Sequence, residues 1–121
     1  MQSDNDLSAF LAGKSSHTLA LFNYFISEYK KIGTITLQTT KTMIGIDNGS
    51  KRVAHIIKLG KDFVDVVFMS KQPYNNNLCF RKIAQVPGQQ QYNHHFRLIN
   101  VDDINDEMRE FMKLAYDDNM Q

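Results

Sequence analysis

Histidine and arginine side chains in one short segment have the types and the spacing that could support chemistry. The segment YNHHFRL, residues 92–98, contains the adjacent pair His94 and His95, followed by Arg97. Its alternating pattern is typical of a β-strand, in which successive side chains point to opposite faces. Adjacent histidines on opposite faces cannot bind one metal ion together. We therefore expect His94 on the core-facing side, under a helix and with a hydrogen-bond partner, and His95 on the other face with Arg97.

Further basic residues fall on the same side of their predicted strands as Arg97, with Met43 and Ile83 as apolar residues between them. Guanidinium and ammonium groups at this density could bind phosphate, a carboxylate or a nucleic-acid backbone. Lys14, at the N-terminus of the second predicted helix, could add to such a surface. The alternative is a solvated face, which antiparallel sheets commonly have. The residues predicted to bind an anionic ligand are Lys14, Lys41, Arg52, Arg81, His95 and Arg97.

His55 and His94 could form a different kind of site. In the predicted strand RVAHIIKL, alternation aligns His55 with Val53 and Ile57, which favours the core-facing side. Two histidines on that side could meet across the sheet and, with a carboxylate such as Asp65, bind zinc or serve a small enzyme. The alternative is that both are buried histidines whose hydrogen bonds are satisfied. Asp65 itself is expected at a solvent-facing position.

Short catalytic and cofactor-binding motifs are missing from the sequence. It contains no G-x-S-x-G, no Walker loop, no G-x-G-x-x-G, no H-E-x-x-H and no C-x-x-C. Cys79 is the single cysteine, and a cysteine nucleophile needs a nearby base, whereas NNNLCFRK offers only Arg81 and Lys82. We therefore expect a binding or interaction module without a cofactor. A structural domain that forms a homodimer, through an edge strand or the basic face, is a further hypothesis.

The net charge of +1 conceals an uneven distribution of charges along the chain. From Lys14 to Arg97 there are 12 Lys and Arg against four acids, and outside that range two against nine. A basic middle with acidic ends could provide an anion-binding surface. Alternatively, the ends could fold back and neutralise the middle.

Composition indicates a single soluble domain in the cytoplasm. The chain has 121 residues, of which 42% are hydrophobic and 22% charged, as in ordinary globular domains. The beginning of the sequence lacks the basic and apolar regions of a secretory signal, and a lone cysteine fits a reducing compartment. No apolar stretch approaches the ~20 residues that a bilayer requires, so no membrane association is expected.

Apolar spacing predicts an α+β fold of two layers, in which an antiparallel sheet of five or six strands packs with two N-terminal helices and one C-terminal helix. The sheet lies between Thr34 and Asn100, where the apolar period is two. His17 falls in the first turn of the second helix and is expected to be a surface or capping residue. The predicted helix bounds are Asp4 or Asn5 to Ala12, Ser15 or Ser16 to Gly33, and Asp102 or Asp103 onward.

Five segments resemble a family of small bacterial domains of unknown function. They are FLAGKSSHTLALFNYF, TKTMIGI, FRKIAQV, YNHHFRL and DDINDEMREFMKLAYD, in this order. In the family these correspond to a G-K-S-x-H-S-L-x-L-F opening, a T-K-T-x-I strand, an H-H-x-R-L strand and an acidic terminal helix ending in A-Y. The chain has Ser16 where a proline is usual. The resemblance extends from about Phe10 to Tyr116 and implies one domain covering residues 1–121.

The resemblance implies little about activity. The family is similar in layout to small α+β domains of the iron-chaperone-like kind. It also occurs attached to larger proteins with nuclease-like parts, which implies a nucleic-acid context. The residues that the resemblance places at motif positions are Lys14, Ser15, His17, Lys41, His95 and Arg97.

Overall fold

The structure is a computed structural model that describes residues 4–117, with side chains from Asp6 onward. It contains three α-helices and six β-strands in the described range. A 3-10 turn, Val101–Asp103, joins the last strand to the last helix. The helices are α1 (Asp4–Leu11), α2 (Ser16–Ile32) and α3 (Asp106–Tyr116). The strands are β1 (Thr36–Thr39), β2 (Ile44–Asp47), β3 (Arg52–Gly60), β4 (Phe63–Ser70), β5 (Lys82–Gln85) and β6 (Tyr92–Leu98).

All neighbouring strands are antiparallel, in the order β1-β2-β3-β4-β6-β5. The first four strands form a meander, whereas β6 inserts between β4 and β5. The two-layer α+β prediction is therefore confirmed, with six strands in the sheet. No helix within residues 4–117 has the length and apolar character needed to cross a membrane.

The hydrophobic core lies between the sheet and the helices, which all pack on one face of it. Phe25 and Tyr29 of α2 are fully buried, as are Met108 and Met112 of α3. Fully burying a large apolar side chain contributes about 1.5–3 kcal/mol, so these positions account for much of the stability. The Tyr29 hydroxyl donates to the Met112 carbonyl at 2.9 Å and joins the two helices, and burial raises the pKa of Tyr29.

The ends of α2 show how local sequence sets a helix boundary. Ser15 caps the N-terminus, because its hydroxyl accepts the Thr18 N–H at 3.1 Å. Gly33 follows the C-terminus, as predicted, but its φ of 178° is ordinary extended backbone. A Cβ at this position would lie 2.4 Å from the ring of Tyr116. The position therefore requires glycine because a ring from α3 lies against it.

Asn48 and Gly49 make the β2–β3 turn in different ways. Gly49 adopts a positive φ of 96°, and Asn48 does not. Asn48 instead accepts the N–H groups of Ser50 and Lys51 with its side-chain oxygen, at 2.9 and 3.0 Å. This is the side-chain turn that asparagine commonly makes.

A bulge in β3 overturns the face predicted for His55. The pairing of β3 with β4 shifts between Ile56 and Lys58, so strict alternation does not continue through Ile57. Ala54 and Ile56 are buried in the core, at 0% and 2% exposure. His55, between them, consequently points to the opposite face.

Candidate functional site

One face of the sheet carries no helix among those described in residues 4–117, and we call it the open face. A single row of side chains crosses it over all six strands. Paired residues in antiparallel strands share a face, so His55 and His95 both lie on the open face, on either side of Val67. In order across the sheet, the row is Gln38, Gly45, His55, Val67, His95 and Lys82.

A second row on the open face centres on Asp65, which pairs with Lys58 on one side and Arg97 on the other. Arg97 donates two hydrogen bonds to the carboxylate, from Nε to Oδ1 at 2.8 Å and from Nη2 to Oδ2 at 2.9 Å. Arg81 Nη1 lies 3.9 Å from Oδ2. Asp65 is only 7% exposed, so its predicted solvent-facing position is wrong. The carboxylate lies beneath the arginines and raises the pKa of Arg97.

The guanidinium of Arg97 also lies over an aromatic ring. Its Cζ is 4.0 Å from the centre of the Phe63 ring, a cation–π distance. Phe63 in turn lies across Gly60 of β3, where a Cβ would be 2.2 Å from the ring. The Lys58 amine is 5.7 Å from the centre of the same ring. Arg97 is therefore held by both a carboxylate and a ring.

Arg52 occupies the opposite side of the open face, across strands β2 and β3. Its Nε forms an ion pair with Asp47, and its Nη1 lies 3.3 Å from His55 Nδ1. The guanidinium lies over Gly45, where a Cβ would come within 2.2 Å of it. Burial, followed by the nearby charge of Arg52, lowers the pKa of His55.

His95 is similarly placed among cations. Burial lowers its pKa, and the charges of Lys82 and Arg81 lower it further. The backbone N–H of Arg81 donates to the His95 carbonyl at 2.8 Å, which fixes Arg81 beside β6. An imidazole that is hard to protonate therefore lies between two side chains that are always charged or nearly so.

The cross-strand pairs and ion pairs place five cationic side chains and two carboxylates on the open face, so positive charge is in excess. The acids that pair with its arginines, Asp47 and Asp65, both come from the basic middle of the chain. The cations are Arg52, Lys58, Arg81, Lys82 and Arg97.

Two residues of the predicted anion-binding set lie elsewhere. Lys41 is in the bend between β1 and β2 and lines a depression beside Phe10 of α1. Lys14 follows α1 and lines a second depression with Phe10, Ile44 and Lys58. Of the predicted set, the structure brings Arg52, Arg81, His95 and Arg97 together on the open face, whereas Lys14 and Lys41 lie near α1.

Sequence reasoning also missed residues of the open face. Ile83 pairs with His94 and so faces the helices, contrary to expectation, while Lys82 pairs with His95 on the open face. The pairing of Lys82–Gln85 with β6 has no register shift. Arg81 precedes the strand. Alternation extrapolated from Arg81 therefore assigns Lys82 and Ile83 to the wrong faces.

His94 is a core residue, as expected. It is fully buried, and its Nε2 accepts the Tyr74 N–H at 3.0 Å. Its Nδ1 lies 3.1 Å from the Tyr92 carbonyl, to which it donates, and burial lowers the pKa of the ring. Since His55 points to the other face, the proposed His55–His94 metal or enzyme site is wrong. Within residues 4–117 no group of three His, Cys, Asp or Glu side chains is arranged to hold a metal ion.

Two further side chains that could take part in chemistry, Cys79 and His17, make hydrogen bonds within the fold. The Cys79 thiol donates to Glu107 Oε1 at 3.4 Å, and burial together with that carboxylate raises the pKa of the thiol to about 11. A thiol in this state is a poor nucleophile at neutral pH. His17 is exposed, as expected, and its Nε2 donates to the Ile99 carbonyl at 2.7 Å. This contact ties the start of α2 to the end of β6.

Comparison with known proteins supports a family and no activity. No curated protein and no solved structure is similar enough to the chain to match it. A family model does match residues 7–119, a range that includes all six strands and most of α1. Membership in a family of domains of unknown function, expected from the sequence, is thereby confirmed. The chain belongs to the family described as Domain of unknown function (DUF5655).

Proposed function

We propose that this protein is a non-enzymatic binding domain whose open face accepts the phosphate backbone of a nucleic acid. The observation that carries the proposal is the excess of cations on a sheet face that the described helices leave uncovered. A nucleic-acid backbone presents closely spaced negative charges that such a surface attracts and holds. Phosphate contacts of this kind give affinity without reading sequence.

Arg81, Lys82 and Lys58 are the groups best placed to hold phosphates. All three are exposed. Lys58 on β3 and Lys82 on β5 are separated by three strand spacings, about 14 Å, which spans more than one phosphate. Arg97 and Arg52 keep N–H groups that their carboxylate partners do not use.

Acidic side chains limit the surface on one side. Asp102, Asp103 and Glu107 line a depression beside Arg97, past the C-terminal end of β6. Like charges repel a phosphate there. The proposed path of the nucleic acid therefore runs over β3, β4, β6 and β5 on the open face and avoids the 3-10 turn.

Salt-dependent binding tests the proposal. Wild-type protein should bind a short fluorescein-labelled single-stranded DNA in an anisotropy titration, and the affinity should fall steeply as salt is raised. The double variant Arg81→Ala/Lys82→Ala should bind at least about tenfold more weakly, with a salt slope smaller by about two. Both side chains are exposed, so their removal should leave the fold intact.

A matched variant removes the same charge from the helix layer. Lys30→Ala/Lys113→Ala also deletes two exposed lysines, on α2 and α3. It should bind like wild type, because neither residue lies on the open face. Equal losses in the two double variants, or no binding by wild type at low salt, would contradict the proposal.

A further inference from the structure

The Arg97 guanidinium is held in place from two directions. Asp65 takes two of its nitrogens in the plane of the group, at 2.8 and 2.9 Å. The Phe63 ring lies against the guanidinium carbon, at 4.0 Å. A planar cation fixed in this way loses little freedom when a further group packs on it.

The Arg97 side chain remains partly open to solvent. The Arg97 side chain is 33% exposed, although Asp65 and Phe63 both contact it. The described helices pack on the other side of the sheet and do not cover Arg97. The available group is therefore flat, cationic and turned toward solvent.

The ring beneath Arg97 is itself positioned by the β3–β4 hairpin. Phe63 pairs with Gly60, and the ring occupies the space that a Cβ at Gly60 would take. Glycine thus lets the ring lie across the strand. Asp62, at φ 65°, makes the tight turn that brings the two residues opposite each other. The β3–β4 hairpin positions the Phe63 ring, and the ring holds the Arg97 guanidinium. Together they form one support for a ligand.

We propose that this support stacks a nucleobase on the Arg97 guanidinium, so that the open face selects single strands over duplexes. Guanidinium planes stack on unpaired bases, and each stacked base adds affinity. In a duplex both sides of a base are already stacked on its neighbours, so no free side can reach Arg97. Exposed cations around it would hold the flanking phosphates. The inference rests on the proposed function and adds the kind of nucleic acid.

The test distinguishes affinity that comes from base stacking from affinity that comes from charge. Wild-type protein is titrated with a single-stranded DNA and with an abasic strand of the same length and charge, and the base-containing strand should bind roughly tenfold more tightly. Arg97→Lys keeps the charge and an ion pair with Asp65 but has no plane. This variant should bind the two strands equally, because its ammonium group offers no plane on which a base can stack.

Two other variants control for folding and for charge. Phe63→Leu removes the ring and leaves the Arg97–Asp65 pair, so it should also lose most of the preference for bases even if Arg97→Lys is unstable. Arg52→Lys changes a second paired arginine of the open face, which lies over Gly45 and not over Phe63. It should retain the preference.

The outcomes distinguish the two proposals. Equal binding of both strands by wild type, or a base preference that survives both Arg97→Lys and Phe63→Leu, would overturn the stacking and leave the phosphate-binding surface standing. Failure of wild type to bind either strand would overturn both.

Discussion

The adjacent residues His94 and His95 illustrate how strand geometry separates chemistry at the level of single side chains. His94 points into the core, where both ring nitrogens have hydrogen-bond partners. His95 points to the open face, between Lys82 and Arg81. One step along a strand thus exchanges a packing residue for a surface residue.

Burial of His94 makes the stability of the protein sensitive to acid. Its pKa is lower in the folded than in the unfolded protein, so the unfolded chain binds the proton more readily. The stabilising contribution is complete above the unfolded pKa, about 6.5, and is lost as pH falls below it toward the folded value. His55 and His95, whose pKa values are also lowered, act in the same direction.

The predicted result is a free energy of unfolding that falls between pH 7 and pH 5. His94→Gln should lower it at pH 7 by about 1–3 kcal/mol, because the hydrogen bond to the Tyr74 N–H is impaired. The variant should also show a smaller fall toward pH 5 than wild type. Urea unfolding at several pH values measures both effects. Parallel pH curves for the two proteins would exclude His94 as a source of the acid sensitivity.

At the level of elements, the sequence predicted the order of helices and strands and the face of His94, because apolar periodicity directly reflects burial. It did not predict the bulge in β3. A bulged strand keeps the residue types typical of a strand, and the position of the bulge depends on the pairing with the partner strand. The face of His55 and the false metal site follow from two irregularities in the pairing of β3, which skips Val53 against β2 and Ile57 against β4. The burial of Asp65 was missed for a related reason: its partners, Arg81 and Arg97, are distant in sequence.

The contact of Gly33 with Tyr116 joins the end of α2 to the end of α3. Gly33→Ala should lower the free energy of unfolding by about 1–3 kcal/mol, because the new methyl group meets the Tyr116 ring. In a Tyr116→Ala background the same change should be neutral or stabilising by about 0.4–1 kcal/mol, since the backbone at Gly33 is ordinary for alanine.

A double-mutant cycle with denaturant unfolding measures this coupling. An equal cost of Gly33→Ala in both backgrounds would show that backbone conformation, and not the ring, requires glycine there.

For the whole molecule, charge is distributed by layer. The open face has excess positive charge, whereas acidic residues are concentrated in the 3-10 turn and α3. The net charge of +1 therefore reflects neither the excess positive charge of the open face nor the acidic residues of the 3-10 turn and α3. A distribution of this kind orients the molecule toward charged surfaces.

The protein should consequently bind a sulfonate cation-exchange resin at pH 8, close to its sequence pI of about 7.9. Arg81→Ala/Lys82→Ala should elute at clearly lower salt than Lys30→Ala/Lys113→Ala, although both variants lose the same net charge. Elution of the two variants at the same salt concentration would indicate that the layers do not act as separate charged surfaces.

The strand order has a consequence for synthesis of the chain. β6 is the last strand made, yet it lies between β4 and β5 in the middle of the sheet. A nascent chain that ends before Tyr92 has β4 as an unpaired edge, with Val66 and Phe68 lacking their partners Phe96 and His94. Apolar edge strands invite pairing with other chains. The sheet can therefore close only after residues 92–98 have been synthesised, and until then β4 is an apolar edge that can pair with other chains.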